Sequence, residues 1–410
     1  MEKLKAILIV CDGLGDRPVD VLGGRTPLET AVKPNMDTLA KEGICGIMDT
    51  IAPGVRPGSA PAHLALLGYD PYRFYVGRGV FEALGMGVCV EEGDIVFRLN
   101  FATVDEGWIV RDRRAGRIGE GTRELVEALR KIELPGVELV FKEGVEHRAI
   151  LVMRGKGLSW RVSDTDPGKN GLRVLNAKPS DESSEARRTA SLIDKIVAEA
   201  YKVLNYHSIN EARRAHGEPP ANMILVRGGS FKQYVDAFED RYGLSAACVA
   251  GGMLYKGVAR YLGMDVFEVP GATGTYQTDY RAKVNATVSA LENHSFAFTH
   301  FKPPDLAGED GNPEGKVDAV EKIDDALKPL LNLDKTLIVI TADHSTPCSI
   351  KTHSADPVPI LIHGPGVRAD TVTTFNERAA ANGGLGRIRG LDLMPILRDL
   401  MDPFMSKYGA

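Results

Sequence analysis

Residues 336–353, TLIVITADHSTPCSIKTH, restrict what the chain can become more than any other stretch. Leu337, Ile338, Val339 and Ile340 form an unbroken apolar run, the pattern of a strand buried on both faces. A strand covered on both faces needs helices above and below it, which places the chain in the α/β class. The run ends abruptly at Asp343-His344, and His353 follows nine residues later. Open α/β sheets bind ligands outside the carboxyl ends of their strands, and carboxylate plus imidazole is a donor set for zinc or manganese. An isolated Asp-His pair also serves as an ordinary turn cap beside a loop histidine, so the rest of the chain has to decide.

The same device recurs at the N-terminus. KAILIVCDGLGD reads as a buried strand over residues 6–11 that ends in Asp12 and Gly13. Two carboxylates at the ends of two core strands can share a cation. A third strand, FAFTH, runs into FKPPDLAGEDGN, where Asp305 and Glu309 stand four residues apart. In PGVRPGSAPAHLALLGYDP, residues 53–71, a Gly/Pro turn precedes an Ala/Leu-rich helix that runs to Gly68. Ser59 therefore opens a helix, where free N–H groups and the helix dipole favour an anion such as phosphate. Serine at that position is also a common N-cap, and a nucleophilic role requires a base or a metal to activate the hydroxyl. Together, Asp12, Asp305, Glu309, Asp343, His344 and His353 supply enough oxygen and nitrogen donors for two divalent metals flanking the Ser59 hydroxyl.

Composition narrows the class of partner. Fifty Lys and Arg against 55 Asp and Glu leave a net charge of -5 with no basic block, which argues against nucleic acid. No run approaches the ~18 apolar residues of a membrane span, and no signal-peptide layout opens the chain. Cys11, Cys45, Cys89, Cys248 and Cys348 are scattered without CxxC spacing, as reduced thiols of a cytoplasmic protein would be. At 410 residues the chain suggests two to three units, or one large core with an insertion. From about residue 92 to 180, short alternating strands and the arginine-rich RDRRAGR (Arg111, Arg113, Arg114, Arg117) break the strand–helix rhythm. That stretch reads as an inserted α+β domain, leaving residues 1–91 and 181–410 as a discontinuous core. An amphipathic helix over 185–204 leads back, and ANMILVRGG from Ala221 reads as the resumption of the core. GGS and GATG follow strands without forming a known phosphate loop, so no nucleotide is assigned to them.

The opening DGLGDRP, the PGSxxxHLxxLGYDP serine turn, SDTDP, KPPDLAGxDGN, TADHSTP and HSxDPVPILI occur in the order found in one family. The chain resembles the archaeal type of cofactor-independent phosphoglycerate mutase, within the alkaline phosphatase superfamily, over essentially its whole length. The resemblance implies an alkaline-phosphatase-like core sheet with helices on both faces and an inserted smaller α+β domain, at 92–180, that covers the substrate. It implies interconversion of 3-phosphoglycerate and 2-phosphoglycerate through a phosphoserine at Ser59, without 2,3-bisphosphoglycerate. Carried over position by position, Asp12, Ser59, Asp343 and His344 hold one divalent metal (manganese, zinc, cobalt or magnesium), and Asp305, Glu309 and His353 hold another. Arg78, Arg114, Arg117 and Lys256 are the candidate contacts to phosphoglycerate by charge and context, and a homo-oligomer is compatible with the pattern.

This chain departs from the family at three places. Histidine is usual at the position of Glu309, aspartate at that of Ala60 and histidine at that of Gly168. Glutamate offers an anionic, harder oxygen than imidazole nitrogen, which favours manganese or magnesium over zinc. The departures leave two alternatives to full mutase activity: a phosphomonoesterase or other phosphosugar mutase of the same superfamily, and a low-activity or silent homologue.

Overall fold

In the computed structural model, which describes residues 4–402, the described residues form thirteen strands. They are β1 (Lys5–Cys11), β2 (Ile44–Asp49), β3 (Ile95–Val104), β4 (Val110–Asp112), β5 (Glu138–Glu143), β6 (Arg148–Arg154) and β7 (Met223–Phe231). The rest are β8 (Ala246–Val249), β9 (Asp265–Phe267), β10 (Phe296–Phe301), β11 (Thr336–Thr341), β12 (Val358–His363) and β13 (Gly386–Arg389). The chain divides into two units, Met1–Tyr75 with Val235–Ala410, and Val76–Tyr234.

The first unit is α/β, built on an eight-stranded sheet of order β13-β2-β12-β11-β1-β10-β8-β9. Every residue of β11 is buried, as its unbroken apolar run requires. β1 pairs in parallel with β10 and β11, with Val10 opposite both His300 and Thr341. This register brings the three strands to the same edge at the same level. The loops carrying Asp12, Asp305 and Asp343 therefore leave the sheet side by side. Local signals set the flanking helices: Thr26 accepts from the Glu29 N–H at 3.0 Å while Glu29 accepts from the Thr26 N–H at 2.8 Å, the reciprocal cap expected of TPLE.

The second unit is a five-stranded antiparallel sheet in which β3 pairs with β6, β7 and, at its far end, β4, while β5 lies outside β6. Helix Ser184–Asn205 packs against β7 and buries Ile193, Ile196, Val197, Ala200 and Leu204. Full burial of an aliphatic side chain stabilises by roughly 1.5–3 kcal/mol.

The insert is larger than the span 92–180 read from sequence. Helix Arg78–Gly85 packs on β3, β6 and β7, and β7 runs beside β3 from Ile95↔Phe231 to Ala102↔Met223. The residues from 76 and those to 234 thus belong to the second unit, and the core resumes at β8. A buried strand looks the same in sequence whichever sheet it joins, because its partner is chosen by non-local pairing.

Candidate functional site

Asp12, Asp343 and His344 meet at the strand edge, all fully buried. His344 Nε2 lies 3.3 Å from Asp12 Oδ1 and 3.2 Å from Asp343 Oδ2. None of these three atoms has a hydrogen-bond partner. A buried unpaired polar atom costs about 1–3 kcal/mol, more when charged, so three of them converging call for an occupant. Donor atoms about 2.0–2.1 Å from a tetrahedral ion stand about 3.3 Å apart, which is the spacing found. The residues fit a divalent cation.

Their far atoms are already engaged, which aims the near ones. Asp12 Oδ2 accepts from the Tyr255 hydroxyl, from His300 Nε2 at 2.9 Å and from Lys302 Nζ at 3.1 Å. Asp343 Oδ1 takes the Gly13 and His344 N–H groups at 3.3 and 3.1 Å. Burial pushes the Asp343 carboxyl well up, with the neighbouring Asp12 charge adding to it, and burial pushes His344 well down. Burial also acts on Asp12, but the Lys302 ammonium and His300 outweigh it and hold that carboxyl well below the usual range. The turn itself demands glycine. Gly13 has φ +64°, and a Cβ there would meet Thr346 Oγ1 at 2.6 Å and Asp305 Cβ at 2.7 Å.

A second group shares His344 and adds Asp305 and His353. His353 Nδ1 stands 2.9 Å from the Pro57 carbonyl, which assigns it the proton and leaves Nε2, 3.7 Å from Asp305 Oδ1, as the lone-pair nitrogen. The His344 and His353 rings stack at 3.5 Å. Asp305 Oδ2 is paired with Lys302. Glu309 follows one turn later on the same face of helix Pro303–Asp310, but it is exposed and its carboxylate is not among the atoms that converge.

Ser59 is the half-buried first residue of helix Ser59–Leu66, preceded by Gly58 with no side-chain cap. The Ala62 N–H closes the first turn on Gly58, and Pro61 has no N–H, so the Ser59 and Ala60 amides lack helical acceptors. His63 Nδ1 donates to the Ser59 carbonyl at 2.7 Å and lies 3.6 Å from Asp343 Oδ2. Burial pushes this imidazole down to about 4, so it is neutral. Through His63 and Pro57 the serine turn is tied to both donor groups.

Sequence reasoning missed Lys302, Tyr255, His63, His300 and Thr346. Lys302 and His63 were readable in principle, one as a cation at the end of a buried strand and the other as a helical neighbour of Ser59. Tyr255 carries no local signal. Lys256, a candidate substrate contact, is buried and paired with Glu268.

In the second unit a cavity of about 410 Å³ is lined by the expected Arg78, Arg114 and Arg117, joined by Arg98, Arg113, Arg148 and Arg227. Glu82 and Glu146 are the acidic residues among its walls. Asp166 of SDTDP grips Arg113 through two bonds of 2.6 and 2.8 Å and lies 3.4 Å from Arg227, aiming both. The RDRRAGR loop stays tight by placing Ala115, Gly116 and Arg117 at φ +46°, +65° and +55°. Asp112 holds it, accepting the Arg114 and Gly116 N–H groups at 2.8 Å each. Non-glycine residues at such angles cost of order 1–3 kcal/mol each and concentrate at functional loops. The cavity suits a small, multiply charged anion.

Buried carboxylate and imidazole donors at the strand edge of an α/β sheet are what a metal-dependent enzyme requires, and residues 4–400 match the family described as the metalloenzyme superfamily. The 2,3-bisphosphoglycerate-independent phosphoglycerate mutase of Methanosphaera stadtmanae is 49% identical over 410 residues, 99% of this chain and 100% of that one. The corresponding mutase 1 of Archaeoglobus fulgidus is 50% identical over 414 residues, again 99% of this chain and 100% of that one. Among solved structures, a protein from Pyrococcus horikoshii is similar with TM-score 0.87 and 40% identity, covering 100% of both chains. The cofactor-independent phosphoglycerate mutase from Thermoplasma acidophilum is similar with TM-score 0.77 and 39% identity, covering 97% of this chain and 100% of that one. The chain belongs to the metalloenzyme superfamily and, within it, to the family of 2,3-bisphosphoglycerate-independent phosphoglycerate mutases. No helix of the described residues is long and apolar enough to cross a membrane.

Proposed function

We propose that the chain interconverts 3-phosphoglycerate and 2-phosphoglycerate by phosphoryl transfer through Ser59, in the cytoplasm and without 2,3-bisphosphoglycerate. The observation that carries this reading is the convergence of Asp12 Oδ1, Asp343 Oδ2 and His344 Nε2, unpartnered and buried, beside the helix that Ser59 opens. Asp12, Asp343 and His344, with Ser59, would hold one divalent cation, and Asp305, His353 and Glu309 a second. Such cations polarise the serine hydroxyl and neutralise charge on the phosphoryl oxygens. Carboxylates outnumber imidazoles in both sets, which favours manganese.

Ser59 Oγ forms a bond to phosphorus as the bond from phosphorus to the glycerate oxygen breaks, and the serine proton ends on that oxygen. The return step reverses this with the neighbouring glycerate hydroxyl. Lys302 stays an ammonium between Asp12 and Asp305: burial alone would lower its pKa, but the two carboxylates raise it. It faces the phosphoryl charge as a fixed cation. The Ser59 and Ala60 amides add donors at the helix start. The arginines lining the cavity of the second unit offer guanidinium forks suited to a carboxylate or phosphate. Retention of glycerate between the two transfers separates a mutase from a phosphatase.

The test is a coupled assay on chelated protein with single metals restored. Manganese is expected to restore 2-phosphoglycerate formation, and Ser59→Ala to reduce it by more than about 10³-fold. An unchanged rate in Ser59→Ala would sink the proposal. Ala60 and Gly168 bring no acid or base to their positions, so a phosphomonoesterase is the second reading. Free phosphate released faster than 2-phosphoglycerate would favour it.

A further inference from the structure

The two donor groups share His344 and are joined a second time through one hydroxyl. Thr346 Oγ1 lies 3.0 Å from His344 Nδ1 and 2.6 Å from Asp305 Oδ1, and all three residues are fully buried. Asp305, held against the Lys302 ammonium, is an acceptor, so the Thr346 hydrogen points to it. The threonine oxygen is then left to accept, and His344 must carry its hydrogen on Nδ1. This makes Nε2 the lone-pair nitrogen, and Nε2 is the atom facing Asp12 and Asp343. The chain of protons from His344 to Thr346 to Asp305 has one consistent direction.

The surrounding structure fixes that hydroxyl from several sides. The Thr346 N–H donates to the Gly15 carbonyl at 3.0 Å, and the Thr346 carbonyl accepts from the buried Lys316 Nζ at 3.0 Å. The Asp12 loop leaves room for it, since a Cβ on Gly13 would come within 2.6 Å of Thr346 Oγ1.

We propose that Thr346 is a positioning residue that selects the metal-binding tautomer of His344 and couples occupancy of the two donor groups; this rests on the metal-dependent reading above. A cation at Nε2 makes the Nδ1–H a stronger donor, and the polarised threonine hydroxyl then binds Asp305 more strongly. The effect is reciprocal, because coupling of two equilibria acts equally in both directions. Thr346→Val removes the hydroxyl and nearly preserves shape, while Thr346→Ser keeps it.

The test titrates metal-free protein with cobalt, following affinity by calorimetry and ligand geometry by visible absorption. Thr346→Val is expected to lose about 10–100-fold in affinity at the tighter site, to alter the absorption bands, and to bind any second cobalt independently of the first. Thr346→Ser is expected to restore all three. Wild-type affinity and spectrum in Thr346→Val would overturn the proposal. Should the valine variant fail to fold, nitrogen NMR of metal-free wild type decides: a proton on His344 Nδ1 supports the assignment, and one on Nε2 overturns it. A wild type that binds no cobalt overturns the metal-dependent reading itself, and with it the coupling.

Discussion

Glu309 shows how far a single position can be read without its surroundings. Its spacing from Asp305 puts both on one face of Pro303–Asp310, yet Glu309 is an exposed residue while Asp305 is fully buried. Glu309→His replaces a hard oxygen by a neutral nitrogen, so the exchange is expected to shift metal preference from manganese toward zinc. Competition titrations with the two metals check this, and an unchanged ratio would remove Glu309 from the ligand set. Asp12, Asp343 and His344 were legible because each stands within three residues of the end of a buried strand. The residues behind them were not, because Tyr255, His300 and Thr346 act through contacts made between distant segments, such as the Tyr255 hydroxyl on Asp12.

The elements that carry the site are fastened by one buried lysine. Lys316, on helix Pro313–Leu327, donates to Asp16 Oδ2 at 2.8 Å and to the carbonyls of Gly15 and Thr346 at 3.1 and 3.0 Å. It thereby joins the loop after β1 to the loop after β11. Removing one partner of a buried pair leaves the other charge uncompensated, so Lys316→Met is expected to destabilise by about 3–5 kcal/mol. Urea unfolding measures the loss, and Asp16→Asn added to Lys316→Met should recover part of it. An effect of the single substitution below about 1 kcal/mol would show that the loops do not depend on this pair.

For the whole molecule, a second buried lysine sets a pH dependence. Lys283 is fully buried, donates to the Thr273 and His300 carbonyls at 3.0 and 3.2 Å, and is pushed down by burial to about 8. An unfolded lysine titrates near 10.4. Between about 8 and 10.4 the unfolded chain binds the proton and the folded chain does not, so this group makes stability rise with pH there, by up to about 3 kcal/mol. Below about 8 both forms are charged and the cost of the buried ammonium is present in full. Unfolding midpoints of wild type and Lys283→Met across this window are expected to diverge in favour of wild type as pH rises. Parallel midpoints would contradict the assignment.

What the amino-acid sequence determined by itself was local: which runs become buried strands, where Thr26 and Glu29 start a helix, and which acids and imidazoles stand at strand ends. Those features follow from patterns a few residues long, and they sufficed for the α/β class and for placing Asp12, Asp343 and His344 at strand ends. Only the tertiary structure decided that β7 joins the second sheet, that seven arginines line one cavity, and which atoms of Asp12, Asp343 and His344 are left without a partner. Register between distant strands and the competition of donors for each carboxylate oxygen make those choices, and neither is written in any single segment.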